Sequence, residues 1–390
     1  MGNESGKSPH IVWVYTASLE KVLDAATWLK PVEELRKSGK RMTLLAVGKR
    51  GIRKIRGVEV LCFPRPEIYF LRHIIYQAQA LWFLLKNLAD IDVILFHEFS
   101  SPFILLLKPI RLLTGKRRPL FVMDTRSLPM QPEDSSSLKV KVRRKAHLFM
   151  HDLGNRYADG RLAITQRMAE AVHIPEKKLW GTWPSGVDID HFKASRASRR
   201  FPTIDESIHL IYHGYMGYER NLMKLCQAVI RANSEGMRFE LSLVGDGPER
   251  RELKSFARTS GEVIKVIPSI PNNEIPKVLA QSHVGVLPFP DEEKFRASSP
   301  IKLFEYMAAG MPILVTRIAC HTDVVGNGGY AIWAEDASVQ GLLDALQTAW
   351  QSRDAFAEMG KQAAIAAEDW SWKASAGKLM KALEIGLENH

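Results

Sequence analysis

Apolar runs and helical patches alternate along the whole chain. Residues 10–16 (HIVWVYT) form a short β-rich run, and a helical pattern follows over 19–38. Residues 42–47 and 58–63 read as strands, 69–88 as a helix, and 92–97 (DVILFH) as a fully buried strand. The pattern then predicts one strongly apolar helix over 102–113, a strand over 120–124 and a basic amphipathic helix over 138–157. A further strand over 160–164 leads through a short helix to 183–188 (WPSGVD). The buried strands are apolar throughout instead of alternating, which marks burial on both faces. With helices between them, they predict a parallel, doubly wound α/β sheet.

At 191–205 (HFKASRASRRFPTID) the composition turns basic, polar and poor in aliphatics, which reads as an interdomain linker. Strand–helix alternation restarts at 208, with strands over 208–213, 239–244, 263–268 and 284–288 and helices between them. Residues 370–387 read as a last amphipathic helix. The 390 residues exceed one comfortable core. The expected organisation is therefore residues 1–195 and 196–369 as two α/β domains, with 370–390 closing the chain. Doubly wound domains bind ligands at the carboxyl ends of their strands, so two facing domains would enclose a cleft.

Charge changes the picture. Residues 1–200 hold 35 Lys and Arg against 19 Asp and Glu, a net +16, whereas the remainder carries −5. A polyanionic partner for the first half follows: a membrane surface, nucleic acid or a phosphorylated substrate. No aromatic platform or nucleic-acid motif accompanies the charge, so nucleic acid is disfavoured. The run 139–149 (KVKVRRKAHLF), with Lys116, Arg117 and Arg118, makes a dense basic surface near the apolar 103–107. A basic amphipathic helix beside exposed aliphatics reads as an interfacial membrane contact. No apolar run is long enough to span a bilayer, and residues 1–9 lack a signal-peptide core. Three scattered cysteines fit a reducing cytosol and offer no metal cluster. These features predict a cytoplasmic protein held peripherally on the inner face of the membrane.

The chemistry concentrates at 298–313 (SSPIKLFEYMAAGMPI). Ser299 then Pro300 reads as an N-cap and first helical residue, and Gly310 with Pro312 closes the helix. Its N-terminus, with Ser298, Ser299 and Lys302 in the first turn, suits a phosphate. A lysine there otherwise faces the positive end of the helix dipole. Glu305, deeper on the helix, is placed to accept hydrogen bonds from a ribose diol. The alternative is an amphipathic helix whose lysine snorkels to water. Three further loops fall at strand ends: 214–220 (GYMGYER) with Gly217 and Arg220, 245–248 (GDGP) with Gly245, Asp246 and Gly247, and 289–299. In the first half, His97 with Glu98, and Asp124 with Arg126, stand at strand ends. Each pair is open to a structural or an acceptor-side reading.

Five segments in order, 157–165 (YADGRLAIT), 183–188 with Phe192, 243–248 (LVGDGP), 298–312 and 370–372 (WSW), resemble the retaining glycosyltransferases of family 4. The likeness covers nearly the whole chain, most clearly from residue 92 on, and implies the GT-B fold: two Rossmann-like domains, with a C-terminal helix crossing back to the first. It further implies a nucleotide-sugar donor in the second domain and no metal or other cofactor, the nucleotide sugar being a co-substrate. Glu305 corresponds to the family's ribose-binding glutamate. Ala297 stands where the sugar-binding glutamate would be, and Tyr215 where a diphosphate-binding arginine would be. Arg220 is the natural replacement and Lys302 a second cation, and these two are the candidate catalytic residues. The expected activity is sugar transfer with retention to a lipid-linked or glycan acceptor in cell-surface polysaccharide or glycoconjugate synthesis. The rivals are a nucleotide-sugar 2-epimerase of the same architecture and a catalytically silent subunit of a glycan-assembly complex.

Overall fold

A computed structural model describes residues 8–20, 25–113, 118–128 and 137–389. The chain forms two units, Met1–Ser185 with Trp372–His390, and Gly186–Ser371.

The first unit is built on β1 (His10–Val14), β2 (Arg41–Val47), β3 (Gly51–Ile55), β4 (Val58–Phe63), β5 (Val93–Phe96), β6 (Leu120–Thr125), β7 (Gly160–Ala163) and β8 (Leu179–Thr182). They lie in the order β3-β4-β2-β1-β5-β6-β7-β8, parallel except for β3. The sequence pattern does not reveal β3, because its exposed Ile52, Arg53 and Lys54 make it a charged edge strand and not an apolar run. A two-residue turn, Arg56-Gly57 with positive φ at both, folds it back on β4. One sheet face buries Trp13, Trp28 and Trp183, packed edge to face at 5.2 and 5.6 Å about Trp13. The helix Trp372–Glu388 adds Leu379, Met380 and Leu383 to that same core. The other face is covered by Tyr69–Lys86 and Leu107–Leu113, through Tyr76, Leu84 and Leu107, with Ala158 just beyond Leu138–Tyr157.

The predicted helix over 102–113 is broken into Ser101–Ile104 and Leu107–Leu113. Pro109 has no N–H to give the carbonyl of Leu105, and its ring would clash there. The predicted linker is also different. Residues 191–205 include part of a helix, Ile189–Ala197, whose first turn is capped by Asp188 accepting from the His191 N–H at 3.3 Å. Phe192 and Ser195 are buried in the second unit, so the boundary falls after Ser185 and not after 195. The basic residues there are divided: Lys193 is exposed on the helix, whereas Arg199, beyond it, donates to the carbonyls of Ala309, Leu279 and Ser282.

The second unit is a six-stranded sheet of β9 (Ile208–Tyr215), β10 (Phe239–Asp246), β11 (Ile264–Ile267), β12 (Val284–Leu287), β13 (Ile313–Thr316) and β14 (Ala331–Ala334). All pairs are parallel, in the order β11-β10-β9-β12-β13-β14. This is the doubly wound order in which the chain reverses direction beside the first strand. The reversal lies between β9 and β12, so the loops leaving their carboxyl ends diverge and open a crevice.

Candidate functional site

The helix Ile301–Ala308 borders that crevice. Its N-cap is Pro300, with φ −74° and ψ 108°, so the sequence reading is one residue early and Ser299 is not the cap. Ser298 instead closes the preceding short helix Glu293–Arg296, its N–H and hydroxyl both donating to Phe295 O at 2.9 and 2.8 Å. The phosphate-binding reading of Ser298 therefore loses its hydroxyl. Leu303, Phe304, Tyr306 and Met307 are buried and fix the helix, leaving Lys302 and Glu305 half-buried.

The floor beneath them is made of glycine. A Cβ on Gly245 would overlap the carbonyl oxygen of Gly214, and one on Gly247 would overlap that of Met216. The ends of β9 and β10 thus touch backbone to backbone. Gly214, with φ +120°, leaves room for the aliphatic stem of Lys302, which a Cβ there would displace. Gly217 lies against the carboxylate of Glu219. Asp246 is exposed and its Oδ1 accepts from the Gly247 N–H at 2.8 Å, so it shapes the turn.

Charged groups gather above this floor. Burial lowers the pKa of the Lys302 ammonium, helped by Arg220 and opposed by Glu305. Burial raises the pKa of Glu305, opposed by Lys302. His213, at the end of β9, brings Nε2 to 3.3 Å of Glu305 Oε2. Burial, with the Lys302 charge, pushes its pKa to about 3, so it is neutral at pH 7. Sequence reasoning missed His213; the signal available was one polar residue closing an apolar run, LIYH. Arg220 is held 5.0 and 5.1 Å from the ring centroids of Phe289 and Phe295, with Nε 3.6 Å from Glu219 Oε1. Arg220 Nε and His213 Nε2 are both buried without a hydrogen-bond partner among the described residues. Each such atom calls for a water, an ion or a ligand to complete it, and here both face the same crevice as Lys302 and Glu305.

Neighbouring positions take structural duties. Asn221 adopts a left-handed φ of 62° and donates from Nδ2 to Ala337 O (2.7 Å) and Pro288 O (3.1 Å), locking the loop that carries Arg220. Ala297 is buried, whereas Tyr215 is 43% exposed.

In the first unit a pocket of about 210 Å³ is lined by Tyr15, Thr16, His97, Glu98, Phe99 and Arg126, among others. His97 Nε2 lies 3.0 Å from Thr16 Oγ1, and burial pushes its pKa to about 4. Arg126 stacks 3.6 Å over the Trp183 ring and donates to its carbonyl at 3.3 Å. Asp124 does not line the pocket. It is wholly buried, accepts from Trp183 Nε1 at 3.0 Å and lies 3.8 Å from Arg126, so it holds that stack in place.

Along Leu138–Tyr157 the outward residues alternate apolar with basic: Leu138, Val142, Leu148 and Phe149 with Lys139, Lys141, Arg143 and Lys145. The apolar partner named from sequence is wrong in detail. Of residues 103–107, Ile104 and Leu107 are core and only Leu106 is fully exposed. The exposed aliphatics are Leu106, Ile110, Leu112 and Leu113, joined by Leu71, Ile74, Ile75 and Trp82 on Tyr69–Lys86. Lys116 and Arg117 lie outside the described residues, and Arg118 pairs with Asp92 at 2.7 Å. Among the described residues no helix is long and apolar enough to cross a membrane.

This is a two-domain α/β architecture of the GT-B type. It is similar to sucrose-phosphate synthase from Thermosynechococcus elongatus at a TM-score of 0.72 and 15% identity, covering 97% of this chain and 98% of that one. An Anabaena protein, HepE, in complex with UDP-glucose matches at 0.69 and 14% identity, covering 96% and 99%. Residues 207–352 match the family described as Glycosyl transferases group 1. Those residues include the whole glycine floor, Arg220, Lys302 and Glu305. A 2-deoxystreptamine glucosyltransferase from Streptomyces kanamyceticus is 26% identical over 183 residues, 44% of this chain and 46% of that protein. The chain thus spans about half the length of the curated relatives it matches.

Proposed function

We propose that this protein transfers a sugar from a nucleotide-sugar donor, with retention at C1, to a lipid-linked or glycan acceptor. The observation that carries the reading is the group of His213, Arg220, Lys302 and Glu305 over the glycine floor, with two buried polar atoms awaiting partners. In this reading Glu305 accepts from the ribose hydroxyls. Arg220 and Lys302 neutralise the diphosphate as it leaves, without a metal ion. The bond from C1 to the diphosphate oxygen breaks, and a bond from C1 to the acceptor hydroxyl oxygen forms on the same face. The hydroxyl proton goes to a phosphate oxygen. Charge develops at C1 as in other glycosyl transfers. His97 and Arg126 are the acceptor-side groups that remain once Asp124 is assigned to the core. The basic-apolar face along Leu138–Tyr157 attaches the protein to anionic lipid at the cytoplasmic side. Each basic residue near such a surface contributes about 1 kcal/mol, so five together decide localisation.

A second reading, a catalytically silent subunit, draws on the buried Ala297 and the exposed Tyr215 at positions where the resemblance expects charged sugar and phosphate ligands. A thermal-shift screen of UDP-, GDP- and ADP-sugars, followed by a donor-hydrolysis assay, separates the two. Binding with hydrolysis supports the transferase, and binding without turnover the silent subunit. Glu305→Ala should weaken nucleotide affinity by about 1.5–3 kcal/mol, the worth of a charged hydrogen bond. Unchanged affinity in calorimetry removes Glu305 from the site.

A further inference from the structure

A second cluster of buried polar groups lies in the first unit and shares Glu98 with the pocket lined by His97 and Arg126. His147 and His151 stand one helical turn apart on the helix Leu138–Tyr157. Their rings stack at 4.8 Å with 29° between planes. His151 is 2% exposed, and neither of its ring nitrogens has a hydrogen-bond partner among the described residues. His147 Nε2 is likewise buried and unpartnered. Glu98, 5% exposed, sits in the short turn Glu98–Ser100 after β5 and brings Oε1 to 3.6 Å of His147 Nε2. One ligand atom from each of the three residues lies within 4.8 Å of the others.

An unsatisfied buried polar atom costs about 1–3 kcal/mol, and three imidazole nitrogens at one place are an unusual concentration of that cost. Something with a lone-pair preference offsets it. A neutral imidazole ligates through a ring-nitrogen lone pair, and the unpartnered nitrogens of both rings lie buried in this cluster. The donor set is two imidazoles and one carboxylate, and spacing of His147 and His151 at i and i+4 is the helical chelate geometry. Two neutral nitrogens select a borderline transition ion over magnesium or calcium, which want oxygen. Arg161 also discriminates. Its guanidinium donates to His151 O at 3.3 Å and to Thr125 Oγ1 at 2.7 Å, placing a fixed positive charge nearby. A cation held only by charge would be repelled, whereas one bound by nitrogen coordination is retained.

We propose that Glu98, His147 and His151 bind one divalent transition ion of the zinc class, joining the end of β5 to the helix Leu138–Tyr157. The ligand atoms stand 3.6–4.8 Å apart and must draw together slightly around an ion with bonds of about 2.0–2.2 Å. Three protein ligands leave a fourth position for water. The ion stiffens the helix that carries the exposed basic-apolar face, and the inference stands whether or not the protein is a transferase.

The test uses full-length protein stripped with EDTA and dialysed. Titration calorimetry with zinc chloride should show one equivalent bound and a raised melting temperature, and magnesium chloride should do neither. Cobalt(II) should give the visible absorption of a four-coordinate nitrogen–oxygen site. Glu98→Gln keeps shape and His147→Gln is at the edge of the cluster, so both should fold, as judged by circular dichroism and by a melting temperature matching metal-free wild type. Each should lower zinc affinity at least tenfold. Wild type that takes up no zinc, or variants that bind it as tightly as wild type, would overturn the assignment.

Discussion

The two units treat buried charge in opposite ways. In Gly186–Ser371 the charged groups gather at one crevice: His213 on β9, Arg220 in the loop that follows it, and Lys302 and Glu305 on the helix Ile301–Ala308. Lys302, Glu305, His213 and Arg220 stand around a floor that only glycine can form. In the first unit the polar core is assembled from remote segments: Glu98, Asp124, His147, His151, Arg161 and Trp183. Several of its members are satisfied by one another. Arg161 donates to Thr125, Asp124 accepts from Trp183, and Arg126 stacks on that same indole. Both clusters draw on segments about equally far apart, 213 to 305 in one and 98 to 183 in the other; what differs is the support, a glycine floor in one and a tryptophan-lined core in the other.

The largest effect expected concerns the outer surface of the first unit. Changing Lys141, Arg143, Arg144 and Lys145 to glutamine should weaken binding to anionic liposomes by about 4 kcal/mol, one for each charge. Co-sedimentation over a graded anionic content reads this directly. Equal recovery of wild type and variant in the supernatant at low salt would leave the basic surface to a soluble phosphorylated acceptor. Next in size is Gly245→Ala, where a methyl group meets the immovable carbonyl of Gly214. It should cost about 3 kcal/mol of stability. Gly154→Ala in the first unit makes the sharper control, since the atoms a Cβ there would meet belong to the Met123 and Arg161 side chains and not to backbone. Helix propensity returns about 1 kcal/mol there. Denaturant midpoints that match for the two variants would erase the contrast drawn between the units.

Arg220→Ala and Lys302→Ala should each lower kcat about 10²-fold while moving KM much less, because charge on the leaving diphosphate grows toward the transition state. Protein reconstituted with zinc alone should turn over as fast as protein also given magnesium or manganese. A requirement for either of those ions would end the metal-free account of the donor half.

The smallest effect is one of pH. Glu249, buried behind the Gly245–Pro248 turn with Oε2 unpartnered, has its pKa pushed up to about 7 by burial and by Glu252. Its folded value exceeds the unfolded one. The stability it contributes is therefore present below about pH 4.5 and lost as pH rises through about 7. Glu249→Gln carries no such loss. Its melting temperature should match wild type at pH 4.5 and exceed it at pH 8 by roughly 2–4 °C for each kcal/mol regained. A difference independent of pH would mean that the carboxyl is solvated.

Much of this fold was readable because parallel strands buried on both faces are apolar throughout. The stretches 92–97 and 284–288 announce β5 and β12 in that way, whereas 239–244 shows β10 by alternation, with Glu240 and Ser242 half-buried. What stayed hidden has specific causes. The strand β3 is a charged edge, and Pro109 breaks a helix whose hydrophobic period runs straight through. Ile189–Ala197 looks like a linker because the stretch is basic, with Lys193 exposed on the helix and Arg199 beyond it. In the site, Lys302, Glu305 and the glycines were legible since each answers a local demand of helix start or turn. His213 was not, since a histidine closing an apolar strand looks the same whether it serves a ligand or the core. The cluster of Glu98, His147 and His151 was invisible for another reason. His147 and His151 are 49 and 53 positions from Glu98, and only the packing of the turn Glu98–Ser100 against the helix Leu138–Tyr157 brings them together.

The helix Trp372–Glu388 completes the first core only after the chain has built all of Gly186–Ser371. During synthesis, then, the sheet face over which Trp13 and Trp183 pack waits only partly covered, by the helix Ala26–Lys37. At 5–20 residues per second, making the intervening segment takes roughly 10–40 s. Over that interval the emerging first unit is a client for chaperones or for a lipid surface, and the second unit is free to finish first. The order of assembly is thus inverted relative to the order of translation.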